Sequence, residues 1–294
     1  MLIVMLATPR PGFVWRLRQR ELPLGARTLL MAILNLTSDS FHAASRVSGE
    51  RAVLARAEQA LEEGADVLDL GAESTRPGAV PVNEEEETFR LVPALEAVRR
   101  RFPQAVLSVD TRHAAVARRA LGVGADIIND VSGLGDAAMP ALLAESGCGS
   151  VLMHLRGTLA TMHQLPPQDD PLPDVLLGLR AVVERARAAG IAATTVVLDP
   201  GFGFGKNGDE NYRLLAQLER LHGLGFPLLV GLSRKSFIGR TLDQAPPEAR
   251  LAGTLAATAV AVLAGAHLVR AHDVAATRDA VRIADALRAA GSVP

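Results

Sequence analysis

Eight short apolar runs recur along the chain, and nearly all of them end in polar residues. Runs of this length that are rich in Val, Ile and Leu are typical of strands buried on both faces. Amphipathic stretches of helical length separate them, so the pattern predicts a strand–helix unit repeated eight times. The runs are LLMAILN, DVLDLGAES, VLSVDT, DIINDV, SVLMH, VVLDP, PLLVGLSRKS and HLVRAHD.

This alternation predicts an α/β fold, a single (β/α)8 TIM barrel. No linker or shift in composition interrupts residues 29–294, which we interpret as one barrel domain. Residues 1–28 form an N-terminal extension, in which FVWRLRQRELPLGARTLL suggests a short hairpin at the bottom of the barrel. Long loops follow several runs, whereas short glycine turns precede them, so the working face is expected at the carboxyl ends of the strands.

Composition narrows the range of functions. A formal net charge of −1 gives no basic surface for nucleic acid, so only local Arg and Lys could bind an anion. The single cysteine, Cys148, excludes an internal disulfide and suits a reducing cytoplasm. Residues 251–269 are long and apolar enough to cross a bilayer, but their Gly–Ala break and charged continuation favour a buried barrel helix. We expect a cytoplasmic protein with no membrane partner.

The seventh run ends in GLSRKS, the local motif that points most clearly to a functional site. It contains Arg234, Lys235 and Ser236. Two cations at the end of a buried strand cost free energy unless they contact an anion or a polar ring, which would favour a ligand site. The alternative is that they form a structural salt bridge. The preceding segment GFGFGK fits neither common phosphate-loop pattern. We interpret its glycines as letting the backbone and Phe204 approach a flat ligand.

Carboxylates and amides end four other runs. Asp110 and Asp199 could bind a cation, a metal or a heterocycle rich in donors, or could each cap the following helix. Asn35 and Asn129 offer both a donor and an acceptor, which suits the edge of an amide-like ring or one contact to a metal. As isolated residues they are also typical of turns.

Cationic groups end the last run. Arg270 and His272 are two residues apart, so they point to the same side of a strand, at a place where this fold commonly binds phosphate.

His154 is as consistent with a structural histidine as with a ligand. The acidic stretch EEEET at 84–88 is expected to begin a helix, where the helix dipole favours negative charge. Together these groups favour a reaction that joins a flat heterocycle to a second molecule with loss of an anion.

Nine segments, in this order, resemble dihydropteroate synthase, a family of pterin-binding barrels: MAILNLTSDSF, GADVLDLGAESTRPGA, SVDTR, GADIINDVSG, VLMHLRGT, LDPGFGFGK, VGLSRKSFIG, GTLAAT and VRAHDV. The resemblance runs from about residue 28 to residue 275. It implies a folate-pathway transferase that condenses 4-aminobenzoate with (7,8-dihydropterin-6-yl)methyl diphosphate and releases pyrophosphate.

The resemblance also implies roles for individual residues. The pterin pocket is lined by Asp110, Asn129, Asp199 and Lys235, with Asp199 accepting from the 2-amino and N3–H edge. Asn35 holds a Mg²⁺ carried by the pyrophosphate, which Arg270 and His272 bind. Thr75 lies near the substrate phosphate, in a loop that Arg76 and Pro77 close, and the aminobenzoate site consists of Phe204, Ser236 and the stem of Lys235. The catalytic residues are Asp110, Asp199, Lys235, Arg270 and His272, and the implied assembly is a homodimer.

The chain departs from the family pattern after the first run. The family reads T-P-D-S-F-S-D-G-G where residues 37–45 read T-S-D-S-F-H-A-A-S. This loop motivates one alternative, a non-catalytic pterin-binding paralogue, which Asn35, Arg270 and His272 oppose. A second alternative is a pterin-barrel methyltransferase acting on methyltetrahydrofolate, which the SRKS and R-x-H-D segments oppose because that reaction has no pyrophosphate to bind.

Overall fold

The structure is a computed structural model that describes residues 7–36, 46–73 and 82–291. In these ranges the chain forms ten strands: β1 (Phe13–Arg16), β2 (Glu21–Leu24), β3 (Leu29–Asn35), β4 (Val67–Gly71), β5 (Val106–Asp110), β6 (Ile127–Asp130), β7 (Gly149–Met153), β8 (Val196–Asp199), β9 (Leu229–Val230) and β10 (Leu268–Ala271).

From β3 onward, helices follow the strands. They are α1 (Arg46–Glu62), α2 (Glu84–Arg101), α3 (Ala114–Gly122), α4 (Met139–Ser146), α5 (Leu172–Ala188), α6 (Asp209–Leu215), α7 (Ser236–Thr241), α8 (Leu251–Leu263) and α9 (Val274–Gly291). Short 3-10 turns cover Ala193–Thr195, Leu218–Leu224 and Pro247–Ala249.

Strands β3 to β10 form one parallel sheet in which the order of neighbours is β8-β7-β6-β5-β4-β3-β10-β9. The first and last of these meet through a parallel bridge between Leu198 and Leu228. The amide of Leu198 also donates to the carbonyl of Pro227 at 2.9 Å. The sheet therefore closes on itself, which confirms the predicted (β/α)8 barrel.

The predicted N-terminal hairpin is present as the antiparallel pair β1–β2. Trp15, Leu17 and Leu24 pack in one apolar cluster with the first inward-facing residues of the barrel strands, such as Val67 and Val106. The indole Nε1 of Trp15 donates to the carbonyl of Thr195 at 2.9 Å. The hairpin thus covers the amino ends of the strands and leaves the carboxyl ends as the open face.

Strand alternation separates the two sides of the barrel wall. In β4, Leu68 and Leu70 belong to the large cluster packed under the helices, whereas Val67 belongs to the inner cluster. Because side chains alternate along a strand, Asp69 and Gly71 share the inward face with Val67. A polar residue at an inward position therefore enters the barrel interior.

Three segments can be compared with the elements that the sequence predicted for them. Residues 251–269 form α8 and the start of β10, as predicted, and within the described ranges no helix is long and apolar enough to cross a membrane. The acidic stretch begins α2, but Asn83 supplies the side-chain cap and Glu87 is buried. The seventh barrel strand, β9, is shorter than its apolar run, because a turn closed by the amide of Lys235 and the carbonyl of Leu232 follows it.

Candidate active site

A layer of polar side chains lies inside the barrel, above the apolar residues that pack on the hairpin. Each member follows an inward-facing apolar residue by an even number of positions, so strand alternation turns it inward as well. The register places Asp69 beside Ser108 and Asp110 beside Asn129. The layer consists of Asp69, Ser108, Asp110, Asn129, Asp199 and Arg270.

Arg270 connects three strands of this layer. Its Nε donates to Asp69 at 2.6 Å and its Nη2 donates to Asp110 at 2.7 Å. The side-chain amide of Asn129 donates to the same oxygen of Asp69 at 3.2 Å. The structure therefore brings together Arg270, Asp110 and Asn129, three of the residues predicted from sequence.

Asp69 is a member of this network that the sequence reasoning missed. It is fully buried, and its Oδ1 has no hydrogen-bond partner within the described part of the chain. The signal was present in the run VLDLG, because a carboxylate two residues after the inward-facing Val67 must also face inward.

Burial shifts the pKa values of two carboxylates in the layer and of Lys235 beside it. Burial raises the pKa of Asp110 to about 7, against the lowering influence of Arg270. Burial also raises the pKa of Asp199, although the carboxylate accepts a hydrogen bond from the amide of Gly201 at 2.7 Å. Burial lowers the pKa of Lys235 to about 8, against Asp199. Such balanced shifts are typical of functional sites.

Lys235 and Phe204 form one wall of the mouth. The Nζ of Lys235 lies 4.2 Å from the centre of the Phe204 ring, a cation–π contact. Gly203 makes this approach possible, since an added Cβ would lie 3.3 Å from Cδ of Lys235 and the residue has φ of 79°. Ser236, the first residue of α7, follows directly and is exposed.

The other cation of GLSRKS has a structural partner. Arg234 donates from Nε to Asp273 at 3.0 Å and forms a second contact with the same carboxylate. Its backbone is left-handed, with φ of 58°, which is uncommon for a residue other than glycine. Of the two alternatives, the salt bridge therefore describes Arg234.

His272 follows β10 and lies against Ser233, which follows the neighbouring strand β9. The hydroxyl oxygen of Ser233 is 2.9 Å from Nδ1 of His272 and accepts from the backbone amide of His272 at 3.2 Å. Ser233 is buried and His272 is half-buried. The sequence did not predict this contact, because the two residues are 39 positions apart in the chain and no local motif links them.

The contacts within the loop after β8 account for the glycines and the lysine of the motif GFGFGK. The Nζ of Lys206 donates to the carbonyls of Gly201 at 2.9 Å and Phe204 at 3.0 Å, with His154 at 3.4 Å. Lys206 is buried, and burial lowers its pKa to about 7. The lysine therefore shapes its own loop. Added Cβ atoms at Gly201 and Gly205 would meet backbone oxygens of the β7 loop, so these two glycines serve packing rather than a ligand.

His154 itself is buried beside that loop. Its Nε2 lies 3.6 Å from Asp174, and burial, with Lys206 and Arg156, lowers its pKa to about 3. A neutral, enclosed imidazole of this kind fits the structural interpretation.

Among the described residues, Asn35 and one carboxylate–histidine cluster offer ligand atoms for a metal ion. Asn35 is exposed at the end of β3, next to Gly71 in the register, and offers one amide oxygen at the mouth. Elsewhere, Glu84, His113 and Asp136 bring one ligand atom each within 4.8 Å of one another. Both oxygens of Asp136 already accept from backbone amides, those of Ala114 and Ala138, each at 2.8 Å. We therefore assign that second group to helix capping.

Part of the predicted site lies outside the described residues. Thr75, Arg76 and Pro77 belong to this part, and so does the altered loop 37–45. The described site nonetheless combines carboxylates and an amide inside the barrel with cations and an aromatic ring at its rim. Such a set can hydrogen-bond the edge of a flat ring and stabilise a departing anion.

Comparison with known proteins shows the family to which the chain belongs. The family described as "Pterin binding enzyme" matches residues 31–272. The dihydropteroate synthase of Escherichia coli strain K12 is 43% identical over 257 residues, which cover 87% of this chain and 90% of that protein. That of Synechocystis is 42% identical over 264 residues, covering 90% and 91%.

Among solved structures, the dihydropteroate synthase of Yersinia pestis in complex with a sulfonamide drug has a TM-score of 0.87 and 41% identity, and the match covers 95% of this chain and 100% of that one. The enzyme of Xanthomonas albilineans with 4-aminobenzoic acid has a TM-score of 0.86 and 40% identity, covering 97% and 100%. The chain belongs to the dihydropteroate synthases of the pterin-binding family, alkyl-group transferases of folate biosynthesis.

Proposed function

We propose that the mouth of this barrel joins 4-aminobenzoate to the methylene carbon of (7,8-dihydropterin-6-yl)methyl diphosphate. The bond between the methylene carbon and the diphosphate oxygen breaks, and the electron pair leaves with pyrophosphate. The lone pair of the aromatic amine forms the new carbon–nitrogen bond, and the amine then loses one proton. The products are dihydropteroate and pyrophosphate.

The polar layer inside the barrel is the proposed pterin site. Asp199 accepts hydrogen bonds from the 2-amino and N3–H edge, a two-point contact that fixes the plane of the ring. Asp110, Asn129 and Lys235 complete the set of donors and acceptors. The single observation that carries this proposal is the network in which Arg270 bridges Asp69 and Asp110, because it holds charged groups in a buried, fixed arrangement.

Arg270 and His272 are proposed to stabilise the leaving pyrophosphate. The ion pairs of Arg270 use its Nε and Nη2 and thereby orient the guanidinium group. A Mg²⁺ ion on the diphosphate would neutralise part of the leaving charge, and the exposed amide oxygen of Asn35 suits it, since Mg²⁺ keeps most of its waters and takes few protein ligands. Thr75, Arg76 and Pro77 remain predicted members of this subsite.

The wall formed by Phe204 and Lys235, with Ser236, is the proposed aminobenzoate site. A related solved structure contains 4-aminobenzoic acid, which supports this choice of second substrate. No strong general base is needed, because the aromatic amine attacks in its neutral form. The electron-rich dihydropterin delocalises the charge that develops on the methylene carbon, and Asp110 and Asp199 stabilise it.

Product analysis by mass spectrometry tests this proposal against the two alternatives. Wild-type protein mixed with both substrates and Mg²⁺ should form dihydropteroate. Methyl transfer from methyltetrahydrofolate without dihydropteroate would favour the methyltransferase, and pterin binding without any product would favour the non-catalytic paralogue. The variant Asp199→Asn should lose both pterin affinity and turnover, and unchanged values would contradict the role of Asp199.

We further propose a homodimer, formed through the face of α6, α7 and α8. An apolar groove of about 370 Å³ lies there, lined in part by Tyr212, Leu242 and Val260. Leu242 and Val260 are exposed in the single chain, so a second copy would remove apolar surface from water. Sedimentation should show a dimer that Val260→Asp shifts toward the monomer, and a wild-type monomer at micromolar concentration would contradict this.

A cytoplasmic location is also proposed. Cys148 is a free, buried thiol, as expected for a protein of a reducing compartment. Fractionation of the native host should place the protein with cytoplasmic enzymes.

A further inference from the structure

Ser233 and His272 meet at the rim of the barrel. They follow adjacent strands, which pair in parallel at Val230 and Val269. The Ser233 hydroxyl makes two contacts with the histidine, one with its backbone amide at 3.2 Å and one with Nδ1 of its ring at 2.9 Å. Ser233 is 8% exposed, so its polar atoms must find partners within the protein.

The number of hydrogen-bonding protons in this contact restricts which nitrogen of the imidazole ring carries its proton. The backbone N–H of His272 can only donate, so the hydroxyl oxygen accepts there. If Nδ1 also donated to the same oxygen, the hydroxyl proton of Ser233 would need another acceptor in a buried place. If Nδ1 instead accepts, the hydroxyl proton is used, and both the proton and the oxygen of the Ser233 hydroxyl have partners.

We propose that Ser233 is a positioning residue, which donates its hydroxyl hydrogen bond to Nδ1 of His272 and so keeps the ring proton on Nε2. This inference rests on the proposed function, in which His272 stabilises pyrophosphate. With a proton on Nε2, the ring offers a donor to a phosphate oxygen in the neutral state as well as in the charged state. The opposite neutral tautomer would present a lone pair to the anion.

The same contact fixes the orientation of the ring. An imidazole whose Nδ1 and backbone amide both bind one hydroxyl has less freedom to rotate, so less entropy is lost when the diphosphate binds. The positioning of His272 gives Ser233, the first residue of the SRKS segment, a role. The next two residues have other partners: Arg234 pairs with Asp273, and Lys235 lies over the ring of Phe204.

Kinetics of Ser233→Ala test the proposal. The KM for the dihydropterin diphosphate should rise about tenfold, the effect of losing one hydrogen bond, with a much smaller change in the KM for 4-aminobenzoate. Ser233→Thr, which keeps the hydroxyl, should restore most of the affinity. Ser150→Ala removes another buried hydroxyl, which bonds the carbonyl of Thr195 at 3.3 Å far from the mouth, and should leave both KM values unchanged.

A double-mutant cycle asks whether Ser233 acts through the histidine. In a His272→Ala background, Ser233→Ala should have almost no further effect on the KM for the diphosphate. An equal effect in both backgrounds would overturn the proposal, because Ser233 would then act independently of the ring.

A second readout needs no turnover. Long-range ¹H–¹⁵N spectra of uniformly ¹⁵N-labelled wild-type protein should show neutral His272 with an unprotonated Nδ1 and a protonated Nε2, with the resonances assigned by their loss in His272→Gln. A proton on Nδ1 would overturn the proposal even if dihydropteroate forms. Absence of product with the expected ring state would instead contradict the proposed function.

Discussion

The Nε atom of Arg270 donates to Asp69 at 2.6 Å in the middle of the barrel. The other arm of the guanidinium reaches Asp110, and Asn129 donates to the same oxygen of Asp69. Asp69 therefore fixes two proposed substrate-binding residues at once, although its own side chain lies deeper in the barrel than the predicted site.

Replacing Asp69 with Asn should weaken both stability and activity. The amide removes one of the two charges that compensate Arg270, so unfolding by urea should show a loss of about 2 kcal/mol. Misplacement of Arg270 should lower kcat/KM about tenfold or more. The matched control is Asp126→Asn, which removes a carboxylate paired with Arg99 at 2.7 Å, away from this network. It should lose stability but keep kcat/KM, and an Asp69→Asn enzyme with normal kcat/KM would argue against this role.

Glu87 should make stability depend on pH. Burial raises its pKa from 4.5 to about 7, with Thr111 as the largest opposing influence. The folded state therefore holds a proton that the unfolded state releases between these values, so this contribution to stability is present below pH 4.5 and is lost as the pH rises through 7. Measured against Glu87→Gln, the wild-type protein should lose about 2 to 3 kcal/mol between pH 4.5 and pH 8.

The control for this prediction is Glu86→Gln, in the same turn of α2 but more exposed and paired with Arg90. It should retain the wild-type dependence on pH. A constant difference between wild type and Glu87→Gln from pH 4.5 to pH 8 would contradict the prediction, because it would show that folding does not raise the pKa of Glu87.

Lys206→Met should loosen the loop after β8. The change removes donors from the carbonyls of Gly201 and Phe204, which should cost about 2 kcal/mol of unfolding free energy. Because Phe204 is part of the proposed aminobenzoate site, the KM for 4-aminobenzoate should rise as well. Thermal unfolding and steady-state kinetics measure the two effects, and an unchanged melting temperature would mean that Lys206 does not hold the loop.

Trp15→Phe should separate stability from activity. Trp15 is 1% exposed and its indole bonds Thr195 at the end of the barrel opposite the site. Loss of this hydrogen bond and of part of the ring should lower the unfolding free energy by about 1 to 3 kcal/mol, measured by circular dichroism in urea. The kcat should stay at the wild-type value under conditions where the variant is folded, and a large drop would show that the hairpin influences the site.

The barrel could be predicted from sequence because its pattern is local. Short apolar runs separated by amphipathic stretches give the strands, the helices and the face where polar groups converge. Strand β9 is shorter than its run and ends before the turn that contains Arg234, whose side chain pairs with Asp273, about forty residues away. Such long-range partners leave no mark on the local pattern.

The site could be predicted only in part, for the same reason. Residues at the ends of runs, such as Asp110 and Arg270, stand out in the sequence. Asp69 lies within a run, where strand alternation turns it inward, so the polar end of the run does not reveal it. The roles of Ser233 and Lys206 depend on contacts across strands and loops, with the ring of His272 and with backbone carbonyls, which only the folded chain brings together.

The central claim is that this barrel condenses its two substrates with release of pyrophosphate, and a pyrophosphate assay tests it most directly. Wild-type protein with Mg²⁺, 4-aminobenzoate and the dihydropterin diphosphate should release one pyrophosphate for each dihydropteroate formed, and omission of 4-aminobenzoate should stop formation of dihydropteroate. Folded protein that releases no pyrophosphate with both substrates present at high enzyme concentration would contradict the account.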